Sequence, residues 1–307
     1  MINKYIKIII PIVIITIILL PGCSSKSNKE SKKPAQQSSQ KPPEELKKMV
    51  SDIETMIADI AKLINMKSST QQMKIADTSS NQSNTSEQGG NNKSRNSQNQ
   101  STQNKQQSGQ QSGQQGGQTN SNSSMQQQKS WQTLETKSKD IHKNWNKIES
   151  EAIKAGLTVA ERKNFKIAME NLTMEINKKN EMSSLKAAVE LYGQYASLAK
   201  VFKSSIPADY YKTKYEIMAA SIEAMEGEWD KAADRMTILK ESWKSMKTQV
   251  KVKDEKLLNR SELSMDDFEA AVVGKNLDLV IIKAEIVLEN LQQIEKALSK
   301  SNNAQSQ

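Results

Sequence analysis

Few residues in this chain are equipped for bond-making chemistry. There is one cysteine, Cys23, and one histidine, His142, in 307 residues. A lone thiol permits no intramolecular disulfide, no cysteine zinc site and no second thiol for redox exchange. A catalytic or metal-binding histidine needs partners at fixed spacing. The di-iron bundle pattern wants Glu three residues before the His, where Lys139 stands instead. His142 therefore reads as a surface or capping residue. Fourteen methionines are present. Met218, Met225, Met236 and Met246 are seven, eleven and ten apart, which suits an apolar helix stripe better than a copper cluster. Trp131, Trp145, Trp229 and Trp243 fall on such stripes too and read as buried anchors. The carboxylates Glu223, Glu226, Glu228, Asp230, Asp266, Asp267 and Glu269 have no nucleophile or glycine-rich loop beside them and read as solvated helix surface. The segment Tyr210, Tyr211, Lys212, Thr213, Lys214, Tyr215 interleaves phenols with ammonium groups. It is the best candidate for contact with an anionic sugar polymer or lipid headgroup, against helix-start packing. No phosphate loop, nucleophile elbow, zinc motif or cofactor-binding pattern is present. The expectation is a protein without catalytic residues, metal or cofactor.

The chain begins with Lys4 and Lys7, followed by an apolar run from Ile8 to Leu20. About thirteen residues are too few for a permanent span, which takes roughly twenty. A basic start, a short apolar core and small residues at its end make a secretory signal. The end reads Leu20-Pro21-Gly22-Cys23. This resembles the lipobox of bacterial lipoproteins of the Gram-positive type: an aliphatic residue at −3, a small one at −1, then Cys. The resemblance is confined to these first residues, and no named family is suggested for the rest. It implies cleavage before Cys23, diacylglycerol on its sulfur and usually N-acylation, with palmitate-like chains holding the protein on the extracytoplasmic face of the cell membrane. Two or three acyl chains anchor far more firmly than one.

Formal charge is +9, with Lys far ahead of Arg. Export and the lack of an aromatic-rich basic patch argue against nucleic acid. Anionic lipid or an anionic envelope polymer, or another envelope protein, are the expected partners. The sequence leaves the oligomeric state open.

The elements that would carry these residues are helices. Residues 1–22 form the signal, and 23–43 a polar tether that cannot bury enough apolar surface to fold. Residues 44–66 carry a heptad seam, Leu46, Met49, Ile53, Met56, Ile60 and Leu63, widened by Val50, Ile57 and Ile64. A lone helix of this length is marginal, so it must pack on the main domain, another copy or the membrane. Residues 67–128 collapse to Gln, Ser, Asn and Gly and read as a disordered linker, about 45 Å in r.m.s. span, that would let a distal domain roam from the bilayer. Residues 129–300 read as an all-α bundle of about six helices with heptad-like, coiled-coil seams, and 301–307 as a tail. Within the bundle, Thr158 and Glu161 form a capping box, and Pro207 breaks the chain. The stripe from Tyr211 to Val250 runs without a slip, as one helix of about forty residues, ~60 Å if unbroken, with Gly227 a place to bend. Ser264 reads as the cap of a short helix, and Asn276 to Ser299 as the last helix, with Ile281 on its seam. Trp131 and Trp145 echo Trp229 and Trp243, Ile141 echoes Leu239, Ile148 echoes Met246, and Lys179-Asn180 echoes Lys275-Asn276. Leu157-Thr158 against Leu263-Ser264 completes a pattern of two three-helix halves.

The functional expectation is a membrane-anchored interaction or scaffold module that is not an enzyme. The alternative is a binding lipoprotein holding a small ligand or cation between helices.

Overall fold

The computed structural model describes residues 40–80, 116–250 and 254–305, with side chains over 40–65, 125–250 and 254–300. Cys23, Leu20 and Gly22 lie outside these residues. The described chain is all-helical, with eight helices, seven of them after the expected linker where about six were expected: α1 (Glu44–Ser80), α2 (Gly116–Lys154), α3 (Val159–Lys178), α4 (Glu181–Lys200), α5 (Ala208–Met225), α6 (Trp229–Gln249), α7 (Glu255–Val273) and α8 (Leu277–Gln305).

The first helix is part of the folded body. All six seam residues of α1, from Leu46 to Leu63, are buried, and the helix packs against α2 and α4. Seam residues at 3–4 spacing form a stripe that only another apolar face can satisfy. Glu45 pairs with Lys147 (3.6 Å), and the N–H of Lys203 donates to the carbonyl of Gln40, fixing the start of α1 to the chain between α4 and α5. Two boundaries differ from the sequence expectation. The backbone helices α1 and α2 reach Ser80 and back to Gly116, taking up both ends of the expected 67–128 linker; residues 81–115 lie outside the described residues. Similarly, α8 continues past residue 300 to Gln305. α1 and α2 pack directly against each other.

The expected forty-residue rod is a hairpin. After Met225 the chain turns through Gly227 at φ +78°, and α6 folds back along α5. Glycine takes this left-handed conformation without the Cβ penalty. The 4–3 stripe runs across the turn in the sequence, so periodicity alone does not register the reversal; on α5 its members Tyr215, Met218 and Met225 are only half-buried, and the deepest edge is instead Tyr210, Thr213, Ile217, Ala220 and Ala224.

The eight helices form two four-helix units with the same order of contacts. In the first, α1 packs on α2 and α4, α2 on α3, and α3 on α4; in the second, α5 packs on α6 and α8, α6 on α7, and α7 on α8, while α4 and α5 join the units. The buried positions repeat in register. Phe165, Ala168, Met169, Leu172 and Ile176 of α3 correspond one for one to Ser261, Ser264, Met265, Phe268 and Val272 of α7, all buried. Leu134, Ile141, Trp145 and Ile148 of α2 correspond likewise to Ala232, Leu239, Trp243 and Met246 of α6. The starts of α1 and α5 match as well: Leu46 N–H bonds Pro43 O (3.1 Å), and Tyr210 N–H bonds Pro207 O (3.0 Å).

This register corrects the three-helix halves. Thr158, which caps α3 in a capping box with Glu161, corresponds to Asp254, whose side chain caps α7 at Leu257 N (3.0 Å). Ser264 is no cap; it is buried inside α7, accepting from Asn290 Nδ2 (3.0 Å). A serine with a hydrogen bond to its own helix sits inside a helix as readily as at its start. The turns after α3 and α7 also match. Lys179 (φ 54°) and Lys275 (φ 51°) take left-handed conformations, and Asn180 and Asn276 cap the next helix. On α8 the core edge is Val280, Ala284, Val287, Leu291, Ile294 and Leu298, and Ile281 faces solvent rather than the seam.

Candidate functional site

The tyrosine–lysine segment does not present a surface. It starts α5, and α5 packs on α4, α6 and α8. Four of the segment's six residues, Tyr210, Tyr211, Thr213 and Lys214, are therefore buried. The Lys214 ammonium donates to Glu54 Oε1 of α1. It lies 5.6 Å from the Tyr192 ring centroid and 5.5 Å from that of Tyr210, within cation–π range. Tyr192 OH donates to the same Glu54 oxygen (3.0 Å), and Tyr210 OH to Glu295 Oε2 of α8 (2.7 Å). Tyr211 packs edge-on against Tyr195 at 4.9 Å. Burial, reinforced by the neighbouring carboxylates, holds the Tyr192 and Tyr210 hydroxyls well above the usual phenol range. They are neutral donors at any physiological pH. Only Lys212 is exposed, and Tyr215 is half-buried. The expected polymer- or headgroup-contact cluster is thus a junction joining α1, α4, α5 and α8. Aromatic rings at the point where two units meet gain more from burial than from solvent.

A second, partly buried cluster closes the α5–α6 hairpin. Arg235 donates to Glu223 Oε1 from Nε and Nη2 (3.0 and 2.9 Å), to Glu216 Oε2 (3.1 Å) and to Tyr215 OH (3.3 Å), with its guanidinium 5.2 Å from the Tyr215 centroid. Burial opposes its charge, but the bonds to Glu223 and Glu216 outweigh this and raise its pKa. Burial pushes the Tyr215 hydroxyl up to about 12, with Glu190 adding to it. Glu223 therefore belongs to a half-buried ion pair, not to the solvated surface expected for it. Glu226 pairs with Lys186 and Glu228 with Lys231. His142 Nε2 meets Thr173 Oγ1 at 2.9 Å. Among the described residues no group of three or more His, Cys, Asp or Glu side chains is placed to hold a metal. Trp131, Trp145 and Trp243 are buried, while Trp229 is half-buried.

Two features face outward. A groove of about 460 Å³ runs between α6 and α7. Met236, Leu239, Trp243 and Met265 form its floor; Lys240, Lys244 and Lys247 stand on one edge, and Glu262, Asp266 and Glu269 on the other. Lys240–Glu269 and Lys247–Glu262 bridge it (2.6 and 2.8 Å). The first unit explains why it is open. There Ser138 and His142 of α2 both meet Thr173 of α3 (2.8 and 2.9 Å), and short side chains draw the helices together. Their counterparts are the longer Met236, Lys240 and Glu269. The Phe165 ring, 4.8 Å from Trp145, has only Ser261 as its counterpart. The heptad pattern gave no sign of this groove, because its cause is a change in side-chain size at matched positions. The other feature is a strip of exposed aliphatics on α8, Leu279, Ile281, Ile282 and Ile286.

No family model matches the chain, and no curated protein or solved structure matches it either. Function must therefore be argued from this junction, the groove and the strip. Among the described residues no helix is long and apolar enough to cross a membrane.

Proposed function

We propose that the chain is a lipoprotein anchored through Cys23 on the extracytoplasmic face of the cell membrane, where its helical body acts as a non-enzymatic interaction module. The observation that carries this reading is the docking of α1. Glu44 begins the folded body only about twenty residues after Cys23, a covalent length of at most ~70 Å. A body on so short a tether works within a few nanometres of the bilayer, a range suited to holding envelope components together. The buried ionisable groups Lys214 and Glu216, the half-buried Arg235 and the phenols Tyr192 and Tyr210 support a structural reading, since each is bonded to another helix. Substituting Cys23→Ala tests the anchor. The variant should leave the membrane fraction or accumulate at precursor size; a variant that stays in the membrane at mature size sinks the proposal.

The α6–α7 groove favours a second reading, a binding lipoprotein. Its volume falls in the range of small-ligand sites, and its apolar floor lies between rows of opposite charge. An anilinonaphthalene sulfonate probe should fluoresce in the groove of the native chain and not in Asp266→Trp, which fills it. Equal fluorescence in both removes this reading.

A further inference from the structure

The two units differ in what covers their last helix. In the first, α5 lies along the outer face of α4. Lys186 pairs with Glu226 (2.7 Å), Tyr215 OH donates to Glu190 (3.1 Å), and the Tyr215 ring presses on Gly193, where a Cβ would come within 2.6 Å of it. Four positions of the buried edges of α4 and α8 match, Ala188 with Ala284, Leu191 with Val287, Tyr195 with Leu291 and Leu198 with Ile294. In that register Lys186, Glu190 and Gly193 become Ile282, Ile286 and Glu289 of α8, and Ser183 becomes Leu279. Where α4 has charges answered by α5, α8 has aliphatic side chains. Leu279, Ile282 and Ile286 remain 44, 52 and 40 % exposed, at the 3–4 spacing of a helix-pairing seam.

We infer that this face of α8 pairs with the same face of a second copy, antiparallel, about a two-fold axis near Ile282. Three observations select this occupant. The matching face of α4 is covered by a helix, so the geometry of the fold accepts one there. Head-to-tail stacking, with α1 of one copy in the role of α5, would set Lys47, Ser51, Ala58 and Lys62 of α1 on the isoleucines, burying ammonium groups against apolar surface. Antiparallel self-pairing instead brings the exposed Lys275, in the turn that leads into α8, of one copy to the end of the seam where the exposed Glu289 of the other lies, twice. A two-fold contact must be self-complementary, and this charge order is. The inference is independent of the lipid anchor and of the groove.

Sedimentation equilibrium of the full mature chain, made as Cys23→Ser so that no lipid is attached, tests it. The expected result is a reversible monomer–dimer equilibrium in the micromolar range. Ile282→Lys and Ile286→Lys, exposed in the monomer and so harmless to folding by circular dichroism, should each weaken it at least about thirtyfold. Lys275→Glu and Glu289→Lys should each weaken it by roughly three- to tenfold, and together restore it. A chain monomeric at every concentration, or one that instead co-sediments with phosphatidylglycerol vesicles, overturns the inference. So does a dimer indifferent to both isoleucine substitutions, or a charge swap that fails to restore pairing.

Discussion

Glu54 of α1 and Lys214 of α5 are the two ends of an ion pair joining the two four-helix units, and the Tyr192 hydroxyl of α4 donates to the same glutamate oxygen. The pair is asymmetric. The Lys214 side chain is 11 % exposed and that of Glu54 35 %.

The asymmetry orders two substitutions. Glu54→Gln keeps an acceptor for Tyr192 but strands a buried ammonium, and should cost about 2 kcal/mol, below the full value for a buried pair because Glu54 is partly solvated. Lys214→Met leaves a carboxylate that water can reach and should cost ~1 kcal/mol or less. The double variant should cost less than the sum of the singles. Urea denaturation measures all three, and a Lys214→Met loss larger than that of Glu54→Gln would contradict the burial argument.

Two glycines separate backbone strain from crowding. At Gly227 a Cβ meets nothing within 4 Å, so Gly227→Ala pays only for its left-handed φ, about 1 kcal/mol. At Gly193 a Cβ would collide with the Tyr215 ring and push α5 from α4, so Gly193→Ala should cost roughly 2 kcal/mol. Thermal unfolding of the two variants side by side gives the order. A milder Gly193→Ala would mean that α4 and α5 do not approach this closely.

His142 provides a pH signature. Burial lowers its pKa below the ordinary 6.5, with Glu170 opposing the shift weakly. The unfolded chain then binds more protons in the window just below 6.5, so the contribution to stability is complete above that pH and is lost as pH falls through the folded value. Because the chain has one histidine, its Hε1 proton titrates alone in an NMR spectrum, and the midpoint should lie below 6.5. The loss of stability on going from pH 7 to about 5.5 should shrink in His142→Gln. A midpoint above 6.5 would show that the side chain is not buried against Thr173.

The seams of α1 to α4 and α6 were legible, while that of α5 was not: its stripe residues Tyr215, Met218 and Met225 are only half-buried. The buried residues of α3, Phe165, Ala168, Met169, Leu172 and Ile176, are those its periodicity predicts, as are the six on α1. The capping box at Thr158 was legible because both of its partners lie within one turn. What misled was short-range ambiguity. Ser264 has the composition of a cap but lies inside α7, and Asp254, the actual cap, stands ten residues earlier. Ile281 fits a seam one residue off the true core edge, because five aliphatics crowd the start of α8 and its outer face is apolar as well.

The candidate site was the less legible part. Tyr210, Tyr211 and Lys214 have the composition of a contact surface, and only neighbours as distant as Glu54 and Glu295 turn them into an interior junction. The groove over Trp243 likewise depends on which residues α7 offers opposite α6.

By itself, the sequence determined that the folded part is helical and which edge of most helices is apolar, since side chains three and four apart share a face whatever the rest of the chain does. Tertiary structure decided what each edge meets: that α1 completes a four-helix unit, that the chain reverses at Gly227, that a tyrosine–lysine run points inward. These outcomes depend on pairings between residues far apart in the chain, and a local repeat of apolar positions is compatible with many such pairings until packing selects one.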